Sequence, residues 1–159
     1  MPRFASYEPP EIRDLESLIK KDAPIVKSIE RSFKSLPCPR CRILTPRRCL
    51  YQRRIFDYGD EEQRRPVQLH VHYSRHQCPS CRKYFNADTT DLAPPKSTYT
   101  HRVIRHAIHL VVEDNLPYRT ASWNLWRDHA VFVPFATIQN WVEAAGKKSR
   151  RARRAPRIH

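Results

Sequence analysis

The chain has 159 residues, 14 of them proline and only 2 glycine, and its formal net charge is +14. This length suits one ordinary domain or two small ones. No apolar run approaches the roughly 18 residues of a membrane span, and the opening MPRFASYEPPEIRDLES lacks the apolar core of a secretory signal. We therefore expect a cytoplasmic protein, where paired cysteines favour metal binding over disulfides.

Residues 1–36 are predicted to form a helical extension. The segment EIRDLESLIKK has apolar residues at helical spacing, and a second short helix is predicted around Ile25, Ile29 and Phe33, beyond Pro24. We assign no chemistry to this extension.

Residues 37–88 are predicted to form a small zinc-ribbon-like domain. Cys38 and Cys41 make one Cys-x-x-Cys knuckle, Cys78 and Cys81 make a second, and 36 residues lie between the two. Four thiolates around one cation form a closed structural zinc site, which leaves no position for a reacting water. The sequence thus predicts Zn²⁺ as cofactor. A redox pair needs a single motif between a strand and a helix, and disulfides suit another compartment.

The segment between the knuckles is predicted to be a β-hairpin. Alternating residues from Val67 to Ser74 indicate one strand, residues 51–58 the other, and DYGDEE the turn. Cys49 is interpreted as a free buried thiol or as an alternative ligand in a distorted site. Three histidines in or just after the second predicted strand are interpreted as polar-face residues that contact phosphate, with metal ligation as the alternative. They are His70, His72 and His76.

Residues 89–98, with two adjacent prolines, are predicted to be a linker, and residues 99–146 a three-helix domain. The first helix starts near Thr98 or Thr100, the second at Pro117 and the third at Pro134, and Gly146 is expected to cap the third. We thus predict an α+β protein, in which a two-knuckle zinc hairpin is followed by a helix-turn-helix bundle.

The third helix is the predicted reader of double-stranded DNA. Thr137, Gln139 and Asn140 would face the major groove, where amide side chains pair with adenine edges. Phosphate contacts are predicted for three residues at the start of the second helix: Arg119, Thr120 and Ser122. A plain three-helix bundle with a polar face is the alternative interpretation.

Residues 147–159 are predicted to be a disordered basic tail that clamps nucleic acid. The tail has no acidic residue and lacks the large apolar residues of a membrane-surface helix. The basic side chains predicted to contact DNA are Lys147, Lys148, Arg150, Arg151, Arg153 and Arg154.

The order of CPRC, hairpin, HQCPSCRKYF, linker, TYTHRVI, LPYRTASWNLW and FATIQNWVEAAG resembles the N-terminal region of insertion-sequence transposases of the L-three family. The resemblance covers roughly residues 37–146. It implies that the four knuckle cysteines are metal ligands and that residues 134–146 are the recognition helix. Arg42 departs from the glycine that the family often has there. The catalytic domain of these transposases, with its three acidic residues, would lie beyond this chain.

The sequence therefore predicts a zinc-dependent, transposase-like protein that binds the ends of a mobile element, without enzymatic activity of its own. We expect it in the cytoplasm with the nucleoid, as a homodimer or beside a catalytic partner chain. An RNA-binding or ribosome-associated zinc protein and a protein-interaction adaptor are the alternative functions.

Overall fold

The computed structural model describes residues 21–154. The predicted helix at residues 11–21 lies almost wholly outside this range. Within the described part, five strands precede three helices: β1 (Ile25–Arg31), β2 (Ser35–Pro37), β3 (Leu44–Asp57), β4 (Val67–Gln77), β5 (Tyr84–Asn86), α1 (His101–Val112), α2 (Tyr118–His129) and α3 (Phe135–Arg154).

The strands form one mixed sheet in the order β1-β4-β3-β2. Strand β4 is antiparallel to β3 and parallel to β1. The short strand β5 pairs with the last three residues of β4. The predicted architecture, a zinc hairpin followed by a helix-turn-helix bundle, is therefore wrong. The hairpin exists, but it is the centre of a five-stranded sheet to which residues outside 51–74 contribute three further strands.

Strand β1 replaces the short helix predicted around Ile25 and Ile29. These residues are four apart, a spacing that fits both the helical period of 3.6 and the strand period of 2. Both side chains pack against the sheet cluster of Ile55, Val67 and neighbouring apolar residues. Tertiary packing onto β4 therefore decides the structure here, and the predicted helical extension over residues 1–36 does not reach this segment.

The central strands are longer than predicted, and the buried face of β4 changes along its length. Val67, Leu69 and Val71 are buried, as the alternation indicates, and then burial passes to Ser74 and His76. A strand can bury opposite faces at its two ends when different segments cover them. Here the linker packs Ala93 on the first half. On the second half, Ser74 contacts the Phe33 amide and His76 contacts the Thr45 carbonyl.

The helices begin where the sequence predicts. Thr100 precedes α1 and Pro117 precedes α2. Helix α3 continues through Gly146 to Arg154, so the predicted glycine cap and the predicted disorder of residues 147–154 are wrong. Nothing lies within 4 Å of a Cβ built at Gly146, and a solvent-facing glycine costs a long helix only about 1 kcal/mol.

The helices pack against the turn end of the β3–β4 hairpin. The Gly59 amide donates to the His129 carbonyl at 2.7 Å, and a Cβ at Gly59 would clash with Ala130 and with the Arg65 carbonyl. The cysteines lie at the opposite end of β4. Eleven residues of extended strand span roughly 35 Å, so the sheet separates the cysteine end from the helices.

Candidate metal centre

The two Cys-x-x-Cys segments fold into the same turn. In the first, the Arg42 amide donates to the Cys38 carbonyl at 2.8 Å; in the second, the Arg82 amide donates to the Cys78 carbonyl at 2.9 Å. Arg42 and Arg82 both adopt left-handed backbone, with φ of 60° and 57°. Arginine at position 42 therefore keeps the turn that glycine would make.

The sheet brings these two turns together. The first joins β2 to β3, and the second joins β4 to β5. Because β3 and β4 are antiparallel, the start of β3 lies beside the end of β4. Each turn stands at the tip of its own small hairpin, so two short strands outside the central pair fix the cysteines.

The four knuckle sulfurs form one cluster. The Sγ atoms of Cys38, Cys41, Cys78 and Cys81 all lie within 4.8 Å of one another, and Cys38 and Cys81 are 3.8 Å apart. Zn–S bonds of about 2.3 Å in a tetrahedron place sulfurs about 3.8 Å apart. Cys38 and Cys78 are buried and the other two are half-buried. These four cysteines could hold one metal ion in a closed site.

Backbone amides around the turns favour thiolate formation. The Cys81 amide hydrogen-bonds to the Cys78 sulfur and lowers the pKa of Cys78 to about 7. Hydrogen bonding to the Cys81 thiol raises the pKa of Cys41 to about 11. Sulfurs this close repel when several are ionised, and a bound cation removes that repulsion. The cluster thus has the sulfur donors for a metal ion, and a bound cation would stabilise them in the ionised form.

A chain of buried polar groups lies at the end of β4, just before the second knuckle. The Phe33 amide donates to the Ser74 hydroxyl at 3.1 Å, and this hydroxyl donates to Nε2 of His76 at 2.8 Å. Nδ1 of His76 then donates to the Thr45 carbonyl at 3.0 Å. The tautomer follows because a carbonyl only accepts. His76 is fully buried, so its interpretation as a polar-face residue that contacts phosphate is wrong.

Cys49 lies outside the sulfur cluster, in β3 opposite Arg75. It is half-buried and its sulfur is not among the four grouped ligand atoms. The interpretation as an alternative ligand therefore has no support among the described residues.

The three predicted base readers of α3 have different surroundings. Asn140 is exposed, whereas Gln139 is half-buried and donates to the Glu143 carboxylate at 3.1 Å. Thr137 is half-buried and lines a shallow groove with the linker and Trp141. Asn140 is thus the freest of the three.

The predicted phosphate contacts of α2 also differ from one another. Arg119 is exposed and lies 4.5 Å from the centroid of Phe135, the first residue of α3. Thr120 is exposed. Ser122 donates its hydroxyl to the Val133 carbonyl, so it ties α2 to the segment before α3.

The tail carries seven basic residues and no acidic one, which is half of the net charge of +14. The other half lies on the folded part, where a second basic region was not predicted. Residues 31–56 contain eight Lys and Arg, residues 66–87 contain three, and neither stretch contains Asp or Glu. The pattern is visible in the sequence, but only the sheet shows that both stretches meet in one place.

No family model, no curated protein and no solved structure matches this chain. Over the part of the chain that the structure describes, no helix has the length and apolarity to cross a bilayer.

Proposed function

We propose that this protein is a zinc-stabilised protein that binds double-stranded DNA, and that its targets are the ends of a mobile element. The resemblance to L-three transposases supports the target, and the four-sulfur cluster supports zinc. Zinc is the metal that most often takes four thiolates in a tetrahedron. Its role here is structural, because all four ligand positions are occupied by the protein.

The observation that carries the DNA proposal is the length of α3. The predicted base readers and most basic residues of the predicted tail lie on this one continuous helix. Lys147 and Arg151 follow Asn140 by seven and eleven residues. The three side chains therefore share one face of the helix. Side chains 147, 148, 150, 151 and 153 are exposed. From Asn140 to Arg153 the helix rises roughly 20 Å, enough to follow a groove across several phosphates.

Two residues at the start of α2 are further candidates for phosphate contacts. Arg119 rests on Phe135, and Thr120 is exposed beside it in the chain. A helix N-terminus carries partial positive charge and unpaired amides, which suit a phosphate. We propose that Arg119 and Thr120 contact the DNA backbone while Asn140 and Gln139 contact bases.

The test is a selection of duplex sequences bound by the zinc-loaded protein, followed by affinity measurements on the selected duplex. Asn140→Ala and Gln139→Ala should each weaken binding by about fivefold or more and relax the preference at one position, because a bidentate contact gives about 1–3 kcal/mol of discrimination. Asn124→Ala, an amide lost from the neighbouring helix α2, is the matched control and should bind as the parent does.

Neutralising the basic end of α3 should have a different effect. A variant with Lys147, Lys148, Arg150 and Arg151 changed to Gln should bind all duplexes more weakly and have a shallower salt dependence, since fewer counterions are released. Tighter binding to structured RNA than to any selected duplex would instead support the RNA-binding alternative. Unchanged DNA affinity in all of these variants would support the adaptor.

A further inference from the structure

We propose that the open face of the sheet near the metal centre binds unpaired bases of a single-stranded nucleic acid. The surface consists of Tyr51, Tyr73, Arg75, Tyr84 and Arg48, and we call it the aromatic–arginine surface. It shares no residue with the proposed duplex site on α2 and α3, so each proposal can fail without the other.

The rings and guanidinium groups of this surface contact one another in series. Tyr73 stacks on Tyr51 with centroids 5.9 Å apart and planes at 27°. The Arg75 guanidinium lies 5.8 Å from the Tyr51 centroid and 4.6 Å from that of Tyr84. The Arg48 guanidinium lies 5.6 Å from the Tyr84 centroid. Five planar groups thus follow one another along β3, β4 and β5.

The sheet register explains why these groups share a face. Tyr51 pairs with Tyr73, and Cys49 with Arg75, so all four side chains lie on the face that buries Ile55 and Val71 further along. The linker covers that face only in its buried half. There Arg53 donates to Thr89 Oγ1 at 3.1 Å and to the Ser97 carbonyl at 2.6 Å, which fixes the linker in place.

Beyond the linker, no segment within residues 21–154 covers the face. Tyr51 and Tyr84 are each 43% exposed. Exposed rings that lie beside cations are suited to stacking on bases.

The positive charge around this surface indicates an anionic ligand. The two stretches that build it carry eleven basic residues and no acidic one. Arg48 and Arg75 belong to the surface itself, whereas Arg31 is paired with Asp91 and Arg47 lies opposite His76 on the other face. A polyanion with flat apolar groups matches both properties, and a nucleic acid is such a molecule. The strand must be unpaired, because the bases of a duplex stack on each other and present only their edges.

A groove next to Tyr73 provides room for a continuing strand. It measures about 810 Å³, lies against the linker, and is lined by Arg53, Arg54 and Lys96 as well as by threonines. Asp88 also lines it, and this carboxylate accepts hydrogen bonds from the amide and hydroxyl of Thr90 at 2.9 and 2.6 Å.

The experiment uses the intact metal-loaded protein and two labelled homopolymers of about 12 nucleotides, oligothymidylate and oligouridylate, within the range of known single-strand sites. We expect binding of at least one of them, and the pair shows whether DNA or RNA is preferred. The double variant Tyr51→Leu with Tyr84→Leu should bind about tenfold more weakly, since stacking on an aromatic ring supplies a large part of such affinities. Tyr51→Phe with Tyr84→Phe keeps the rings and should retain the parent affinity.

Two further measurements guard against a folding artefact. Phe132→Leu removes another exposed aromatic ring, 59% exposed and beside the helices, and should leave single-strand affinity unchanged. Photo-crosslinking of the unmodified protein to iodouracil-containing strands should mark Tyr51, Tyr73 or Tyr84. The proposal is overturned if the parent protein binds neither strand, if the Leu and Phe pairs bind equally well, or if crosslinks map to α3 alone.

Discussion

At the scale of single residues, the backbone of the knuckle arginines is the most informative feature. Arg42 and Arg82 hold left-handed φ values of 60° and 57°, immediately after the last cysteine of each knuckle. A side chain in this region costs about 1–2 kcal/mol, because Cβ approaches the carbonyl oxygen. The two turns keep this strain while placing one more positive charge each beside a cluster of sulfurs.

Replacing either arginine by glycine should therefore stabilise the metal-loaded protein. We expect Arg42→Gly and Arg82→Gly each to raise the free energy of unfolding by about 0.5–1 kcal/mol, the relieved strain less the larger backbone entropy of glycine. Urea denaturation of metal-loaded protein measures this change. Arg40→Gly, which removes the same charge inside the same turn where φ is ordinary, should destabilise. Equal effects at positions 40 and 42 would contradict the strain argument.

The residue scale also shows what the sequence predicts about the site. The spacing of the knuckles was sufficient to name all four grouped sulfurs, because a turn of two intervening residues presents both cysteines to one point. The role of His76 could not be predicted. Its partners are the Thr45 carbonyl and the Ser74 hydroxyl, and only strand pairing brings Thr45 within reach.

At the scale of elements, one carboxylate joins the sheet to the helices. Asp57, the last residue of β3, accepts hydrogen bonds from the Thr100 hydroxyl at 2.9 Å and from Nε of Arg102 at 2.6 Å. Burial raises the pKa of Asp57, but the hydrogen bonds from Arg102, from the Tyr58 amide and from Thr100 outweigh it and lower the pKa below its ordinary value. The folded protein therefore favours the ionised carboxylate.

Asp57→Asn should loosen this junction in a pH-dependent way. A depressed pKa contributes stability that is present above the ordinary pKa of aspartate, near 3.9, and is lost as pH falls through the lower folded value. We expect a loss of about 1–3 kcal/mol at neutral pH, when Arg102 loses its charged partner, and a smaller difference in acid. Thermal melts of variant and parent between neutral and acid pH measure it.

Asp91→Asn is the matched control, since Asp91 pairs with Arg31 at 2.9 Å but is 58% exposed. Exposed pairs of this kind contribute about 0–1 kcal/mol. If the two variants lost the same stability at every pH, the Asp57 junction would have no special role.

Elements differ in how far the sequence determines them. The starts of α1 and α2 lie within one residue of the local signals Thr100 and Pro117, although the Thr100 hydroxyl makes no cap hydrogen bond and donates to Asp57 instead. Strand β1 depends on a parallel pairing with β4, from Ile25 opposite Val67 to Arg31 opposite Tyr73, across some forty residues of chain. Spacing within β1 is ambiguous between helix and strand, so the sheet order could not be predicted from it.

At the scale of the whole molecule, apolar packing and the sulfur cluster stabilise different ends. The helix cluster includes Val103, Leu125 and Ile138, and the sheet cluster centres on Ile55 and Val71. Near the knuckles the buried side chains are mostly cysteines and small polar residues. Several apolar side chains there are exposed, among them Ile43, Leu44 and Leu50. The cysteine end thus has little apolar burial of its own.

Removal of the metal should therefore open one end of the protein before the other. Four-cysteine zinc binding supplies on the order of 10 kcal/mol, which replaces the missing core at the knuckles. After chelation at neutral pH, we expect hydrogen exchange to become fast in residues 35–50 and 74–86, while amides of α1 and α2 stay protected by their own cluster. Hydrogen-exchange mass spectrometry with and without chelator measures both regions in one sample.

Cys38→Ser should reproduce the pattern without chelator, whereas Cys49→Ser, which changes a sulfur outside the cluster, should leave exchange as in the parent. If chelation exposed the helices as fast as the knuckles, the two ends would be one cooperative unit, and if it changed neither, the sulfur cluster would not be a structural metal site.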